Sequence, residues 1–362
     1  MKKLLVCLVL LALAPSAGAD NLQVDTVAEG LENPWSLAFL PDGRMLVTER
    51  AGRLRIIDNG TLLPEAVSGV PQAYVNSQAG LFEVLPAPDF ADSGMIYLSL
   101  AAGTASANSL LVVRGRLQGN ALTGVEEIFR AQPLRSTPVH YGARMLWLPD
   151  GTLLVSYGDG FDYREDAQRL ANHTGSVFRL NADGSAPTDN PFYNSAAAQP
   201  VIFSYGHRNV QGLAYDPIDN RIWQHEHGPR GGDELNILES GINYGWPIVA
   251  HAVNYSGARV TPFSELPGVR NPVHIWHSAV APGGLAVYRG ELFSDWNGNI
   301  LVAGLGSQAM HRLVIEDERV ISEERLLQSL NQRIRDVRIG PEGAIYILTD
   351  SSEGAMLRIT PR

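Results

Sequence analysis

One short pattern recurs six times along this chain and constrains its fold: an apolar run of strand length, a tight turn, and a second apolar run. The turns centre on Pro41, Pro88, Pro149, Pro217, Asn297 and Pro341, as in SLAFLPDGRMLV from Ser36 to Val47. Pro-Asp-Gly is turn chemistry, because proline presets φ, aspartate caps the turn and glycine takes positive φ without steric cost. Further strand-like runs, at Arg53–Ile57, Leu110–Arg114, Ser176–Leu180 and Met356–Ile359, lie between the hairpins. Intervals of 44 to 80 residues each hold four short strands and a variable loop, and long amphipathic helical patterns are nearly absent. Repeated four-stranded antiparallel units manage their edges by radial closure, which predicts an all-β, six-bladed β-propeller. A pair of β-sandwich domains is the alternative. In a propeller, loops from several blades converge on a central channel, so functional residues should be scattered in sequence.

Residues 1–19 stand apart. Lys2 and Lys3 precede an apolar run, Leu4 to Ala14, and Ala17-Gly18-Ala19 offers a small-residue cleavage site before Asp20, the pattern of a signal peptide. The only cysteine, Cys7, lies inside it. An exported chain that needs no disulfide suits the bacterial periplasm, and residues 20–362 read as one propeller domain. Removal of Lys2 and Lys3 takes the formal charge from −10 to −12. Such an acidic chain argues against nucleic acid as a partner. The longest later uncharged stretch, Ser93 to Val113, is interrupted by Gly103, Thr104, Ser106, Asn108 and Ser109 and reads as two strands and a loop, not a membrane span. A monomer or a homodimer fits equally.

The hairpin around Pro149-Asp150-Gly151 carries chemistry at its ends, because it folds His140 back onto Asp159. A carboxylate beside an imidazole fixes its tautomer and stabilises the imidazolium, which builds a general base. Other candidates are dispersed. Gln78 precedes a second-unit strand, and Arg208-Asn209 puts a cation and an amide in a loop. Alternation along a strand aims Arg333 and Arg335 to one side, where an anion with several carboxylates would relieve their repulsion; pairing with Asp336 or Glu342 is the plainer reading. His225-Glu226-His227 invites a zinc reading, yet a zincin spaces its histidines four apart on a helix. The glycines and proline of Gly228-Pro229-Arg230-Gly231-Gly232 instead leave backbone carbonyls free of sheet pairing, which suits calcium.

Taken in order, these elements resemble the soluble glucose/sorbosone dehydrogenase family, six-bladed propellers that use pyrroloquinoline quinone (PQQ) and calcium. The resemblance runs from about Leu31 to Pro361 and rests on Gln78-x-Gly-Leu, His140-x-Gly-x-Arg144, Gly158-Asp159, Tyr205-Gly-x-Arg-Asn209, Glu226-His-Gly-Pro229 into Asp233-Glu234, Asn243-Tyr-Gly-Trp-Pro247 and Arg333-x-Arg-Asp336. It implies an aldose dehydrogenase closest to the bacterial periplasmic members. In it His140 takes the proton of the anomeric hydroxyl, Asp159 orients His140, and Arg208 faces the quinone oxygen that gains charge. It further implies that Asn209, Arg333 and Arg335 hold the cofactor and that Gln78 and Trp276 meet the sugar. The carbonyls of Gly228 and Pro229 would bind one calcium; Glu234 and Tyr244 match a second, structural calcium site. Two departures stand out: Val139 replaces an acid beside the histidine, and Gly306 replaces a cofactor-binding lysine. The first implies broader aldose use than glucose alone. A calcium-dependent lactonase and a non-catalytic binding propeller remain as rival readings, and the electron acceptor is open.

Overall fold

Each of the six hairpins forms the inner pair of a four-stranded antiparallel sheet in the computed structural model, which describes residues 21–362. The inner strands are Pro34–Phe39, Leu81–Pro86, Met145–Trp147, Val210–Asp216, Pro282–Val287 and Ile334–Ile339, one per blade of a six-bladed β-propeller. The local chemistry explains the turns. In blade 3, Met145 pairs with Val155 and Trp147 with Leu153, while the Asp150 carboxylate accepts the Thr152 amide (2.9 Å) and Gly151 sits at φ 80°. The expected signal peptide, residues 1–19 with Cys7, lies outside the described residues.

The ring closes with an element the sequence pattern misses. Leu22–Leu31 adds to the outer edge of blade 6, pairing antiparallel with Gly354–Pro361 (Leu22 opposite Pro361), so strands from the two chain ends share one sheet. Its pattern is obscure because an outermost strand is mostly solvent-facing; only Leu22, Ala28 and Leu31 are buried. The stretch Ser93 to Val113 is two strands as expected, but its polar centre is not a loop. Met95–Thr104 and Ala107–Gln118 meet at a two-residue turn, and buried Asn108 bonds the Thr104 carbonyl (3.0 Å).

Apolar clusters fill the spaces between neighbouring blades, whereas the axis is polar. Arg144 lies across it. Its Nη1 contacts Glu83 (3.0 Å) and Asp336 (3.1 Å), its Nε donates to the Gln211 carbonyl (2.6 Å), and its guanidinium covers Trp35 (4.1 Å). Arg338 pairs with the same two acids (2.6 and 3.0 Å). Two cations therefore balance two carboxylates, and residues of blades 1, 2, 3, 4 and 6 meet at one knot.

Candidate functional site

Strand alternation decides which residues can meet. Within every blade the proline-type turns lie at one end of the ring, so links between the second and third strands, and between successive blades, fall at the opposite end. Arg50, Gln78, His140, Asp159, Arg208, Asn209, Gly228, Pro229, Gly306, Arg333 and Asp350 all lie in such links. Bulges at the starts of five inner strands, such as Leu81/Val84 and Ile334/Asp336, break the ladder there and re-aim side chains.

His140 and Asp159 meet as the hairpin requires, with Nδ1 2.7 Å from Oδ1 and both side chains buried. The other Asp159 oxygen accepts the Trp246 indole N–H (2.7 Å), and Oδ1 also accepts the Phe161 amide (2.8 Å). Those two partners can only donate, and the carboxyl is held below its ordinary 3.8, so it stands ionised and receives the His140 Nδ1 proton. That leaves Nε2 as the unprotonated base nitrogen. Burial holds the imidazole below its ordinary 6.5, Asp159 opposes this, and the Arg208 charge lowers it further. Burial raises the Asp159 carboxyl, but the hydrogen bond and charge of His140, Arg208 and the Phe161 amide outweigh it and keep it below 3.8. Gln78 fixes the backbone: its Oε1 accepts the His140 amide (2.9 Å), where His140 adopts φ 54°.

Arg208 is braced from both sides. Its amide donates to Glu226 (2.6 Å), its Nη1 to the carbonyls of His227 (3.0 Å) and Gly228 (2.9 Å), and its guanidinium lies 5.4 Å from the Trp246 ring centre. A cavity of about 280 Å³ descends along the axis, lined by Gln78, Asn209 and Gln211 and by three arginines, Arg50, Arg333 and Arg335. Arg333 and Arg335 both pair with Asp350 (3.1 and 3.0 Å). They do not pair with Asp336, which serves the axial knot, or with Glu342, which binds Arg358 (3.0 Å). Among the described residues Arg50 has no acidic partner, and neighbouring Glu49 is taken by Arg53 (2.5 Å), Arg55 (3.2 Å) and the Glu32 amide (2.7 Å). The cavity thus holds three guanidiniums and one carboxylate, which pairs with two of them, and Arg335 Nε is buried without a partner. This donor set suits a polyanion, and the volume suits a small cofactor.

The calcium candidates divide. Gly228 and Pro229 border the cleft beside Arg208, although the Gly228 carbonyl accepts that arginine. Glu234 lies opposite Glu226 in register, in a small cavity with Tyr244. Burial, then the Glu226 charge, pushes the Glu234 carboxyl well above 4.5, a tension that a cation would relieve. Among the described residues no three His, Cys, Asp or Glu cluster for a metal, so a calcium would draw on backbone oxygens as well. The zinc reading is not carried: His225 and His227 both face blade 5, on the carbonyls of Gly284 (3.3 Å) and Pro282 (2.7 Å).

One expected site residue is misplaced. Trp276 lies on the outermost strand of blade 4, buried, with its indole N–H on Glu323 (3.2 Å), and does not border the axial cavity. An outer strand cannot offer an aromatic wall at the channel. The aromatic groups at the dyad are Trp246 and Phe161 instead.

Fold and site together define a six-bladed propeller with a buried histidine–aspartate pair beside an arginine-lined, cofactor-sized cavity. The chain belongs to the glucose/sorbosone dehydrogenase family, whose profile matches residues 31–358, and is accordingly placed among sugar oxidoreductases. It is similar to aldose sugar dehydrogenase YliI of Escherichia coli, at 38% identity over 99% of this chain and 98% of that one. The structure of that soluble enzyme in its apo form superposes with a TM-score of 0.91, covering 94% of this chain and 100% of the other. The PQQ-bound aldose sugar dehydrogenase of Streptomyces coelicolor is 28% identical, with TM-score 0.75 over 96% and 100% of the two chains. Quinoprotein glucose dehydrogenase B of Acinetobacter calcoaceticus is 26% identical over 93% of this chain and 87% of its own.

Proposed function

We propose that this protein is a periplasmic, PQQ- and calcium-dependent aldose sugar dehydrogenase that oxidises the anomeric carbon of aldoses to lactones. In this reading a signal peptide, residues 1–19, precedes a single catalytic domain. The observation that carries it is the His140–Asp159 pair set beside a cavity lined by three arginines and one carboxylate, which pairs with only two of them. When bound, the quinone supplies the acceptor for the C1 hydride, and calcium polarises it as a Lewis acid.

The chain's own residues do the rest. His140 Nε2 takes the proton from the anomeric hydroxyl, and Asp159 steadies the imidazolium that results. Arg208 supplies positive charge where an oxygen gains electrons, an interaction strongest in the transition state. Arg333, Arg335 and Asn209 hold the cofactor, with Arg50 offering the cation that Gly306 lacks. Gln78 positions His140 by its amide and reaches the sugar. The Gly228 and Pro229 carbonyls serve the catalytic calcium, and Glu234 and Tyr244 a structural one. Val139 leaves no acid beside the base, which favours a broad aldose range.

Titration of the purified protein with PQQ and calcium, then an aldose without electron acceptor, tests this. The expected result is saturable cofactor binding and a sugar-dependent change in quinone absorbance. Saturable binding with no response to any aldose would overturn it.

A further inference from the structure

The mouth of the site contains a feature that neither the base nor the cofactor cavity uses. Phe161 sits at φ 70°, a backbone conformation that bulky L residues avoid, and it is held there by its amide bond to Asp159 (2.8 Å). Strain of this kind persists only where the surroundings over-determine it, and here the dyad carboxylate does so. The strained residue does not bury its ring: Phe161 is 47% exposed. Its ring meets the His140 imidazole edge-on at 5.6 Å and stacks on Tyr255 at 6.2 Å with an interplanar angle of 26°. Tyr255, 60% exposed, comes from the distant connection between the outer strands of blade 4. Two aromatic rings from separate segments therefore form one open floor that starts at the base. The cleft above it, about 490 Å³, is rimmed by Asp162, Arg164, Glu165, Asn254 and Ser256.

An aromatic floor with a polar rim matches one ligand chemistry well. A pyranose ring presents axial C–H bonds on its face and hydroxyls around its edge, so its face packs on the rings while its hydroxyls meet the rim. We propose that Phe161 and Tyr255 form the stacking platform for the substrate's pyranose ring and set how tightly this enzyme holds its sugar. The proposal rests on the sugar-oxidising reading above and deepens it.

The test uses Phe161→Ala and Tyr255→Ala in the cofactor-loaded protein, with D-glucose as substrate. Each is expected to raise KM by about threefold to tenfold, the scale of one lost stacking contact, with kcat held within about twofold. Phe161→Tyr should restore KM. A second readout needs no turnover: methyl β-D-glucopyranoside has no free anomeric hydroxyl, and its affinity, followed by saturation-transfer NMR, should fall in parallel. If the loaded protein oxidises no aldose, the functional reading fails, while glycoside binding still decides the platform. Unchanged KM and unchanged glycoside affinity would overturn the proposal. So would a fall in kcat at constant KM, which would make Phe161 a packing partner of His140. Unchanged sugar KM with a raised KM for a protein electron acceptor would assign the pair to docking instead and equally overturn it.

Discussion

Replacing Asp159 by asparagine keeps the shape of the site and changes only which atoms donate. The carboxylate now accepts three donors: His140 Nδ1 (2.7 Å), the Phe161 amide (2.8 Å) and Trp246 Nε1 (2.7 Å). An amide can accept on one side only. If its oxygen stays with His140 and Phe161, its NH2 confronts the Trp246 N–H. If it flips, the NH2 confronts the Phe161 N–H and forces His140 Nδ1 to accept, which moves the proton to Nε2 and removes the base. Either way at least one charge-assisted bond is lost in a buried place, a cost of about 1.5–3 kcal/mol in unfolding free energy. Turnover should fall by about 10²–10⁴-fold, the range of general-base loss, while cofactor affinity changes little. The pH profile supplies a second check. His140 is held below 6.5, so the wild-type rate should fall only as pH drops below that value. Losing Asp159 removes a contribution that raises the imidazole, so any residual acid limb should move to lower pH. Urea unfolding and steady-state dye reduction measure both effects. Near wild-type turnover in Asp159→Asn, with an unmoved acid limb, would refute the assignment of Asp159 as the group that orients the base.

Three further outcomes follow from the same structure. Arg144→Met should destabilise the protein by about 3–5 kcal/mol, because Glu83 and Asp336 would be left buried with Arg338 alone; a shift in the urea midpoint within error of zero would contradict the axial knot. Burial lowers His173 to about 4 and His225 to about 3, so the folded state stays neutral where the unfolded chain takes protons. Stability should therefore fall by up to about 1.4 kcal/mol per pH unit for each as pH drops below 6.5, and level off below their folded values; His173→Gln should flatten that slope in urea titrations at pH 4–7. Arg50→Ala should weaken PQQ binding by about tenfold, as loss of one charge-assisted contact requires, without changing the thermal midpoint by more than a degree or two; equal affinity by fluorescence titration would remove Arg50 from the cofactor cavity.

The ring was legible because turn chemistry is local: Pro149-Asp150-Gly151 and its counterparts announce themselves within three residues. The His140–Asp159 contact was legible for the same reason, being the two ends of one hairpin. What stayed hidden depends on long-range closure. Trp246 reaches Asp159 across 87 residues of sequence, and nothing in the element Asn243-Tyr-Gly-Trp-Pro247 announces that contact. Arg50 looks like a charged residue at a surface turn until the ring closes and brings Arg333 and Arg335 to it. Leu22–Leu31 lacks alternation because one strand at a blade's outer edge has little to bury. Trp276 misled for the converse reason: an aromatic in a suggestive stretch says nothing about radial position, and its strand proved the outermost of its blade.

In the proposed reaction His140 removes the proton as the C1 hydride leaves. The most direct test is single-turnover reduction of the bound quinone by an aldose, with no electron acceptor present, in wild type and His140→Ala. Rapid sugar-dependent reduction is expected in the wild type, with a rate lower by about 10²–10⁴-fold in the variant at the same cofactor occupancy. Equal rates in the two proteins would contradict this role for His140.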